Sequence, residues 1–214
     1  SHYHLLPHGV PTAAVPAPDA RAALRRTLGV RDGERHVVCA SPRSSGARLD
    51  WLLRSWAVVE DSGANARLTV VGEDADSADL RSRADRLGLV RCTLIRPDRP
   101  LFDYVASADI VAMTHLYAIH ARLPVWAMQA ALPIVAMEAD GVRMFVGHGQ
   151  NGCLAPVGDI EAFSGALQDV IRDPDLAARL GARGAQRAPE YGPEAHRARA
   201  AAILSALLAG DALR

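Results

Sequence analysis

From His36 to Val157 the chain alternates between two hydrophobic patterns, and this alternation limits the fold more than any other feature. Short apolar runs typical of buried strands are HVVCAS, ARLTVVG, RCTLI, DIVAM, PIVAM and GCLAPV. Between them lie segments with apolar residues at helical spacing, such as RLDWLLRSWAVVE. Strands that alternate with helices predict βαβ crossovers, which require a parallel sheet covered by helices on both faces. The sequence therefore predicts an α/β fold with a doubly wound parallel sheet.

The segments outside this alternation are predicted to be helical or extended. DARAALRRTLG predicts a helix with Asp19 as its N-cap and Gly29 as its stop. Asp76 or Ser77 is suited to cap the helix after the second strand. PTAAVPAPDA, rich in proline and alanine, predicts an extended connector, and two Ala/Arg-rich helices are expected at 175–187 and 193–208.

The composition excludes several classes of function. The formal net charge is zero, so nothing in the charge balance favours binding to nucleic acid. All 24 strongly basic residues are arginines, which leaves no lysine for a P-loop or a Schiff base. The N-terminal stretch lacks the pattern of a signal peptide, and no apolar run is long enough to span a bilayer. We therefore expect a cytoplasmic protein.

The cysteines and histidines do not predict a metal site. Cys39 and Cys92 lie in apolar strand-like runs, and with Cys153 they form no C-x-x-C pair, which favours buried, inert thiols. His115 and His120 are five residues apart with no carboxylate near them, a spacing too loose to predict a metal pair, and hydrogen-bonded loop histidines are favoured over catalytic ones.

Ligands of doubly wound sheets bind outside the carboxyl ends of the strands, so the loops there hold the candidates. SPRSSGAR follows the first strand, and its Arg43 could pair with a phosphate while Gly46 lets backbone amides approach it. A solvent-facing loop with a surface arginine is the equal alternative. The loop does not match G-x-G-x-x-G, the dinucleotide fingerprint. In IRPDRP, Arg96 or Arg99 could reach a nucleotide, although surface arginines are commoner.

The loop THLYAIHAR follows the fourth strand and precedes a helix predicted at 124–131. The first amides of that helix and the positive end of its dipole should face the ligand crevice and form a generic anion site. Trp126 is expected in the first turn of the helix. It either packs in the core or offers a stacking surface to a ligand.

Taken in order, these segments resemble the C-terminal, nucleotide-sugar-binding half of GT-B glycosyltransferases, specifically the family-four group of retaining enzymes. PHGV stands where that family has PNGV, and DYVASADIVAM resembles the helix and strand before its sugar-binding loop. In HGQNGCLAPVGDIEAFSGALQDVIRDP, Asn151, Gly152 and Asp159 fall at family positions. The resemblance covers nearly the whole chain. It implies a Rossmann-like sheet that forms the second half of a GT-B fold.

The resemblance also marks where donor-binding groups of the family are missing. The E-x7-E glutamates, which hold the sugar and ribose hydroxyls in the family, correspond to Ala118 and Trp126. A further glutamate corresponds to Met144, and the Lys-Gly pair that holds the diphosphate corresponds to Ala47 and Arg48. With this degenerate motif, no catalytic residue is assigned. The predicted donor-binding residues are Arg43, Tyr117, Ala118, Ile119, His120, Ala121, Trp126 and Gly141.

The resemblance implies a division into an interdomain lead-in segment at 1–18, a nucleotide-sugar-binding domain at 19–192 and a C-terminal return helix at 193–214. The family binds its acceptor mostly on an N-terminal GT-B domain, which here would precede residue 1 or be a partner chain. Catalysis needs both reactants positioned, so this chain alone should not complete transfer. Any peripheral contact with a membrane is expected only through that other half.

Two functional hypotheses follow. The first is the donor-binding half of a glycosyltransferase that moves a sugar from a nucleoside diphosphate sugar to an unknown acceptor, with no other cofactor. The second is an inactive binding or scaffolding module whose crevice is filled by Trp126, His120 or Met144. The loss of two charged hydrogen-bonding groups costs about 3–6 kcal/mol, or about 10²–10⁴ in affinity. A receiver or a small dehydrogenase is a weaker alternative, since the lysine and the glycine fingerprint they need are absent.

Overall fold

The structure is a computed structural model that describes residues 9–41, 48–115 and 122–208. The strands described there are β1 (Arg35–Ala40), β2 (Ala66–Val71), β3 (Cys92–Ile95), β4 (Ile110–Met113), β5 (Ile134–Met137) and β6 (Gly152–Ala155). The α-helices are α1 (Pro18–Thr27), α2 (Leu49–Asp61), α3 (Ala78–Arg86), α4 (Leu101–Ala106), α5 (Arg122–Gln129), α6 (Ile160–Arg172), α7 (Pro174–Arg187) and α8 (Pro193–Leu208). Short 3₁₀ turns lie at Val142–Met144 and Ala188–Tyr191.

The strands form one parallel sheet in the order β3-β2-β1-β4-β5-β6. The chain starts at the centre with β1, builds outwards to β3, and then crosses back to build the other half from β4 to β6. This order confirms the doubly wound, Rossmann-like α/β fold. The order of the strands reverses between β1 and β4, which are paired at Val37 with Ile110.

The core lies on both faces of the sheet, as a parallel sheet requires. Along β1, Val38 and Ala40 join the cluster that includes α1, α4 and α5, whereas Val37 and Cys39 join the cluster with α2, α3 and α6. The fully buried Trp56 belongs to the second cluster. Burial of each large apolar side chain contributes about 1.5–3 kcal/mol, which is why both faces are covered by helices.

The predicted N-cap of α1 was wrong, whereas one of the two candidates for α3 is the observed cap. α1 begins at Pro18, so Asp19 lies in the first turn and makes no cap hydrogen bond. Proline is suited to the first helical position because its fixed φ matches the helix and the amide it lacks has no acceptor there. Of the two candidate caps for α3, Ser77 accepts from the amide of Leu80 at 3.4 Å. Gly29 follows the end of α1 with a φ of +79°, as expected of a stop.

Among the described residues, the helix predicted at 124–131 spans Arg122–Gln129 and so already includes the two residues before the expected start at 124. Pro124 therefore lies inside the first turn, where a missing amide breaks no intrahelical hydrogen bond. Trp126 consequently lies in the second turn and not in the first. Proline also removes one of the amide donors that the sequence assigned to an anion site at this helix start.

A buried polar network joins β1, β2 and the turn before β4. The ring of His36 is bonded through Nδ1 to the carbonyl oxygen of Ser107 at 3.1 Å and through Nε2 to the Thr69 hydroxyl at 2.9 Å. The His36 amide donates to Asp109 at 2.7 Å, and Asp109 also pairs with Arg25 at 3.0 Å. Burial lowers the pKa of His36 from 6.5 to about 4, so the ring is neutral at pH 7.

All three cysteines lie on strands, and for two of them, Cys39 and Cys92, the sequence predicts buried, inert thiols. Cys39 is fully buried and Cys92 is half-buried, and burial raises the pKa of each thiol to about 12. Among the helices that the structure describes, none combines the length and the apolar character needed to cross a bilayer. The division of the chain at residues 18 and 192 stays a prediction.

Candidate functional site

The candidate site is the crevice at the carboxyl edge of the sheet, where the order of strands reverses between β1 and β4. Chains that leave two such neighbouring strands turn to opposite faces of the sheet and open a gap between them. A backbone hydrogen bond spans the gap, because the amide of Arg48 donates to the carbonyl oxygen of Thr114 at 2.9 Å. The amide of Ser41, directly after β1, donates to the carbonyl oxygen of Val71 at the end of β2, at 2.8 Å. The loops after β1 and β4 are therefore anchored at their described ends.

Thr114 places a buried polar group at this point. Its side chain is fully buried, and its hydroxyl has no hydrogen-bond partner among residues 9–41, 48–115 and 122–208. A buried hydroxyl without a partner costs about 1–3 kcal/mol, so such groups usually bind water or a ligand. No pattern in the sequence singles out Thr114, which looks like an ordinary residue at the end of a strand.

Most of the predicted donor-binding residues cannot be placed. Arg43 and the five consecutive positions from Tyr117 to Ala121 lie outside the described residues. The two that are described, Trp126 and Gly141, lie on α5 and on the loop after β5. Their contact with a donor stays a prediction.

Trp126 is half-buried and packs against the α1–α4–α5 side of the core. Its ring meets Phe102 edge-on, with centroids 6.0 Å apart and an interplanar angle of 68°. Aromatic pairs prefer this geometry and gain about 0.5–1.5 kcal/mol beyond the area they bury. The packing role considered from the sequence is thus observed.

Gly141 is exposed and has a φ of +78° immediately before the 3₁₀ turn Val142–Met144. This left-handed conformation is strained for residues with a side chain. The amide of Met144 donates back to the Gly141 carbonyl at 3.2 Å. The loop after β5 therefore has a defined turn at its tip.

Arg48, which stands at one of the two positions of the family's Lys-Gly pair, contacts its own neighbours in the chain. Its guanidinium donates to both carboxylate oxygens of Asp50, at 3.1 and 3.3 Å, and lies 4.5 Å from the centre of the Trp51 ring. The hydrogen bond and charge of Asp50 raise the pKa of Arg48. Both side chains are partly exposed, so water screens the pair and its attraction is weak.

The contacts described for the loops after β2 and β3 are structural ones. A Cβ added at Gly72 would lie 2.0 Å from the carbonyl oxygen of Ser41, so only glycine lets these two loops approach. Arg96 pairs with Asp76 at 3.6 Å, and both side chains are partly exposed. Arg99 and Asp98 pair at 2.9 Å and also contact Tyr104. Both arginines of the loop after β3 thus take part in ion pairs at the surface.

Sequence reasoning missed a charged pair next to the crevice. Glu138 follows β5 directly, and its amide donates to Ala155 at 2.8 Å. Its carboxylate forms a salt bridge with Arg143 on the same loop. The signal was available, since Glu138 is a carboxylate at the carboxyl end of a predicted strand.

Sequence reasoning also missed how the loop after β5 is held. Asn151 is fully buried, and its amide group donates to the Phe145 carbonyl at 2.9 Å and accepts from the Gly147 amide at 2.8 Å. Arg187 on α7 donates to the same two acceptors, Asn151 Oδ1 at 3.1 Å and the Phe145 carbonyl at 3.2 Å. The resemblance placed Asn151 at a family position without a role, and the structure supplies one.

No metal centre is described. Within the ranges that the structure covers, no three or more His, Cys, Asp or Glu side chains come together in a way that could hold an ion.

Sequence comparisons agree with the fold. The profile of the family described as "Glycosyl transferases group 1" matches residues 34–173. D-inositol 3-phosphate glycosyltransferase of Streptomyces scabiei is 28% identical over 202 residues, which cover 89% of this chain and 45% of that protein. GDP-mannose-dependent alpha-(1-6)-phosphatidylinositol monomannoside mannosyltransferase of Mycolicibacterium smegmatis is 29% identical over 199 residues, covering 84% of this chain and 50% of that protein. The chain therefore spans about half the length of the curated relatives it matches.

Solved structures show the same architecture. HepE of Anabaena in complex with UDP-glucose superposes with a TM-score of 0.77 at 24% identity, over 89% of this chain and 54% of that one. A glycosyltransferase of Rickettsia africae superposes with a TM-score of 0.78 at 13% identity, over 95% of this chain and 56% of that one. The six-stranded sheet and its helices thus have the architecture of the C-terminal half of a GT-B fold. Because the family profile matches most of the chain, this protein belongs to the group 1 glycosyl transferases.

Proposed function

We propose that this chain is the donor-binding half of a glycosyltransferase that moves a sugar from a nucleoside diphosphate sugar to an acceptor. The observation that carries the proposal is the reversal of strand order between β1 and β4, where doubly wound sheets bind their ligands, on the fold of a family that transfers sugars. A protein of the same fold, HepE of Anabaena, has been solved with UDP-glucose and with UDP. The other half of a GT-B fold would carry the acceptor.

The donor would be held with few charged side chains. Arg43 is the candidate for the diphosphate, together with backbone amides of the loop after β4 and the start of α5. Arg48 is a second candidate, because its ion pair with the partly exposed Asp50 is screened by water and weak enough to be exchanged for a diphosphate. The Thr114 hydroxyl supplies a neutral donor and acceptor at the same crevice. Gly141 presents backbone from the loop after β5 without a side chain.

Calorimetric titration of this chain with UDP, GDP and ADP tests the proposal. We expect one of them to bind with a Kd of about 1 mM or below, and the matching nucleoside to bind more weakly because the diphosphate contacts are lost. Arg43→Gln should weaken binding about 10-fold or more. Arg54→Gln, an exposed arginine on α2, is the matched control and should change nothing. No binding of any nucleotide at millimolar concentration would overturn the proposal.

One observation favours the second candidate, a non-catalytic module of the same fold. Trp126 stands at a family glutamate position and packs on Phe102, so the chain uses this position for core packing. If this candidate holds, the double variant Ala118→Glu, Trp126→Glu binds nucleotide sugars no better than the wild type. An increase in affinity of about 10-fold or more would contradict it and favour a degenerate donor site.

A further inference from the structure

The β5–β6 loop, residues 138–151, is fixed from one side by α7 and the turn that follows it. The hydroxyl of Tyr191 donates to the carbonyl oxygen of Met144. Arg187 and Asn151 both donate to the next carbonyl, that of Phe145, at 3.2 and 2.9 Å. Two consecutive carbonyl groups of the loop are thus bonded to side chains distant in sequence, and the loop position depends on them.

Tyr191 joins this loop to a second segment. Its side chain is buried, its ring lies 5.1 Å from that of Phe145, and its hydroxyl accepts from Arg187 at 2.9 Å. Its own backbone carbonyl accepts from the amide of Val10 at 2.8 Å. Val10 is also buried in the core cluster to which Tyr191 belongs, so this part of the lead-in segment is fixed by the backbone hydrogen bond and by burial in the shared core.

The lead-in segment and the start of α8 pass each other at this point. A Cβ added at Gly9 would lie 2.9 Å from both the Cβ of His196 and the Cα of Pro193. The lead-in segment at Gly9 and the first turn of α8 therefore lie side by side, next to Tyr191. A displacement of either segment must move the backbone to which the Tyr191 side chain is attached.

We propose that Tyr191 is a positioning residue that couples the lead-in segment to the β5–β6 loop. Its backbone carbonyl holds Val10, its hydroxyl holds Met144, and a shift at one contact changes the geometry of the other. The relevance of the loop to a donor rests on the proposed function, since Gly141 is a predicted donor contact on it. The coupling itself rests only on the contacts described here.

Hydrogen–deuterium exchange of this chain without ligand tests the coupling. The readout is the set of loop amides that are hydrogen-bonded within the loop, those of Met144, Phe145, Val146 and Gly147. Tyr191→Phe removes the hydroxyl and keeps the ring. Gly9→Ala pushes the lead-in segment away from α8. We expect each variant to speed exchange of these amides about five-fold or more, since a net hydrogen bond contributes about 1 kcal/mol.

The matched control for Gly9→Ala is Gly165→Ala, because an added Cβ at Gly165 meets nothing within 4 Å. This control should leave exchange of the β5–β6 loop unchanged. In the double variant Gly9→Ala, Tyr191→Phe, we expect the loop to exchange no faster than in Tyr191→Phe alone, because both changes act through one contact. A merely structural role for Tyr191 predicts additive effects. Additive effects, or wild-type exchange of the loop in Gly9→Ala, would overturn the proposal.

Titration of the same variants with UDP, GDP and ADP separates the coupling from the proposed function. If both hold, Tyr191→Phe weakens binding of the nucleotide that the wild type binds, and Gly165→Ala does not. If the wild type binds none of them while the exchange results are as expected, the proposed function fails and the coupling stands. Unchanged nucleotide affinity in Tyr191→Phe, with altered exchange, would remove the link between the loop and the donor.

Discussion

The amide of Arg48 donates to the carbonyl oxygen of Thr114 at 2.9 Å. This hydrogen bond joins the segment before α2 to the residue that follows β4. The carbonyl group of Thr114 is therefore satisfied, whereas its fully buried hydroxyl has no partner among the described residues. This contrast within one residue places a polar group with no described partner at the edge of the sheet where doubly wound folds bind ligands.

Thr114→Val tests whether that hydroxyl is unpaired in the free protein. Valine has nearly the same shape, so we expect the free energy of unfolding to rise by about 1 kcal/mol or to stay unchanged. Thr69→Val is the matched control, because Thr69 is also fully buried but its hydroxyl is bonded to His36 at 2.9 Å. That change should lower the free energy of unfolding by about 1–3 kcal/mol. Urea unfolding of both variants provides the measurement, and equal losses would show that the Thr114 hydroxyl is bonded.

His36 predicts how stability depends on pH. The folded-state pKa of about 4 lies below the ordinary value of 6.5, so the unfolded chain binds a proton more readily than the folded one. Its contribution is present above about pH 6.5 and is lost as the pH falls towards about 4, by about 3 kcal/mol in total. We expect His36→Asn to be less stable at neutral pH and to lose less stability on acidification. Urea unfolding at several pH values would show this, and parallel pH profiles would contradict it.

Gly72 predicts a steric limit at the crevice. An alanine Cβ there would lie 2.0 Å from the Ser41 carbonyl oxygen, a backbone atom that moves only with the loop. We expect Gly72→Ala to lower the free energy of unfolding by about 1–3 kcal/mol. Gly165→Ala on α6 should instead raise it by about 0.5–1 kcal/mol, because alanine favours the helix. Thermal unfolding compares the two variants, and a neutral Gly72→Ala would mean that the two loops are farther apart than the structure places them.

The contact between Trp126 on α5 and Phe102 on α4 predicts that removing the Trp126 ring weakens the packing of these two helices. Trp126→Ala removes the edge-on contact with Phe102 and part of the buried surface, and we expect a loss of about 2–3 kcal/mol. Trp126→Phe keeps an aromatic ring and should lose less than about 1.5 kcal/mol. Chemical unfolding of the two variants tests this. If Trp126→Ala is as stable as the wild type, the side chain does not act as a packing residue, and the ligand-stacking interpretation gains weight.

The fold was predictable from the sequence because periodicity reports burial. Six apolar runs became the six strands described, in the topology that alternation with helices implies. The start of α5 was not predictable, because Pro124 is compatible with both the first and the third helical position. The cap at Asp19 failed for a similar reason, since Pro18 took the first helical position.

The site was less predictable because its contacts join residues far apart in sequence. Tyr191 and Met144 are 47 positions apart, and Arg187 reaches Asn151 across 36 positions. No local pattern in the sequence marks such pairs. The Thr114 hydroxyl could not be recognised either, since whether a buried hydroxyl is satisfied depends on the surrounding structure and not on residue type.

Hydrogen–deuterium exchange with and without the nucleotide that binds in calorimetry tests the central claim most directly. If the crevice at the switch point binds the diphosphate, protection appears in peptides that span 41–49, 114–123 and 139–146, and peptides from α3 and α7 are unchanged. Protection confined to other segments, such as the groove between Pro11, Gln129 and Arg197, or no protection at saturating nucleotide, would contradict the account.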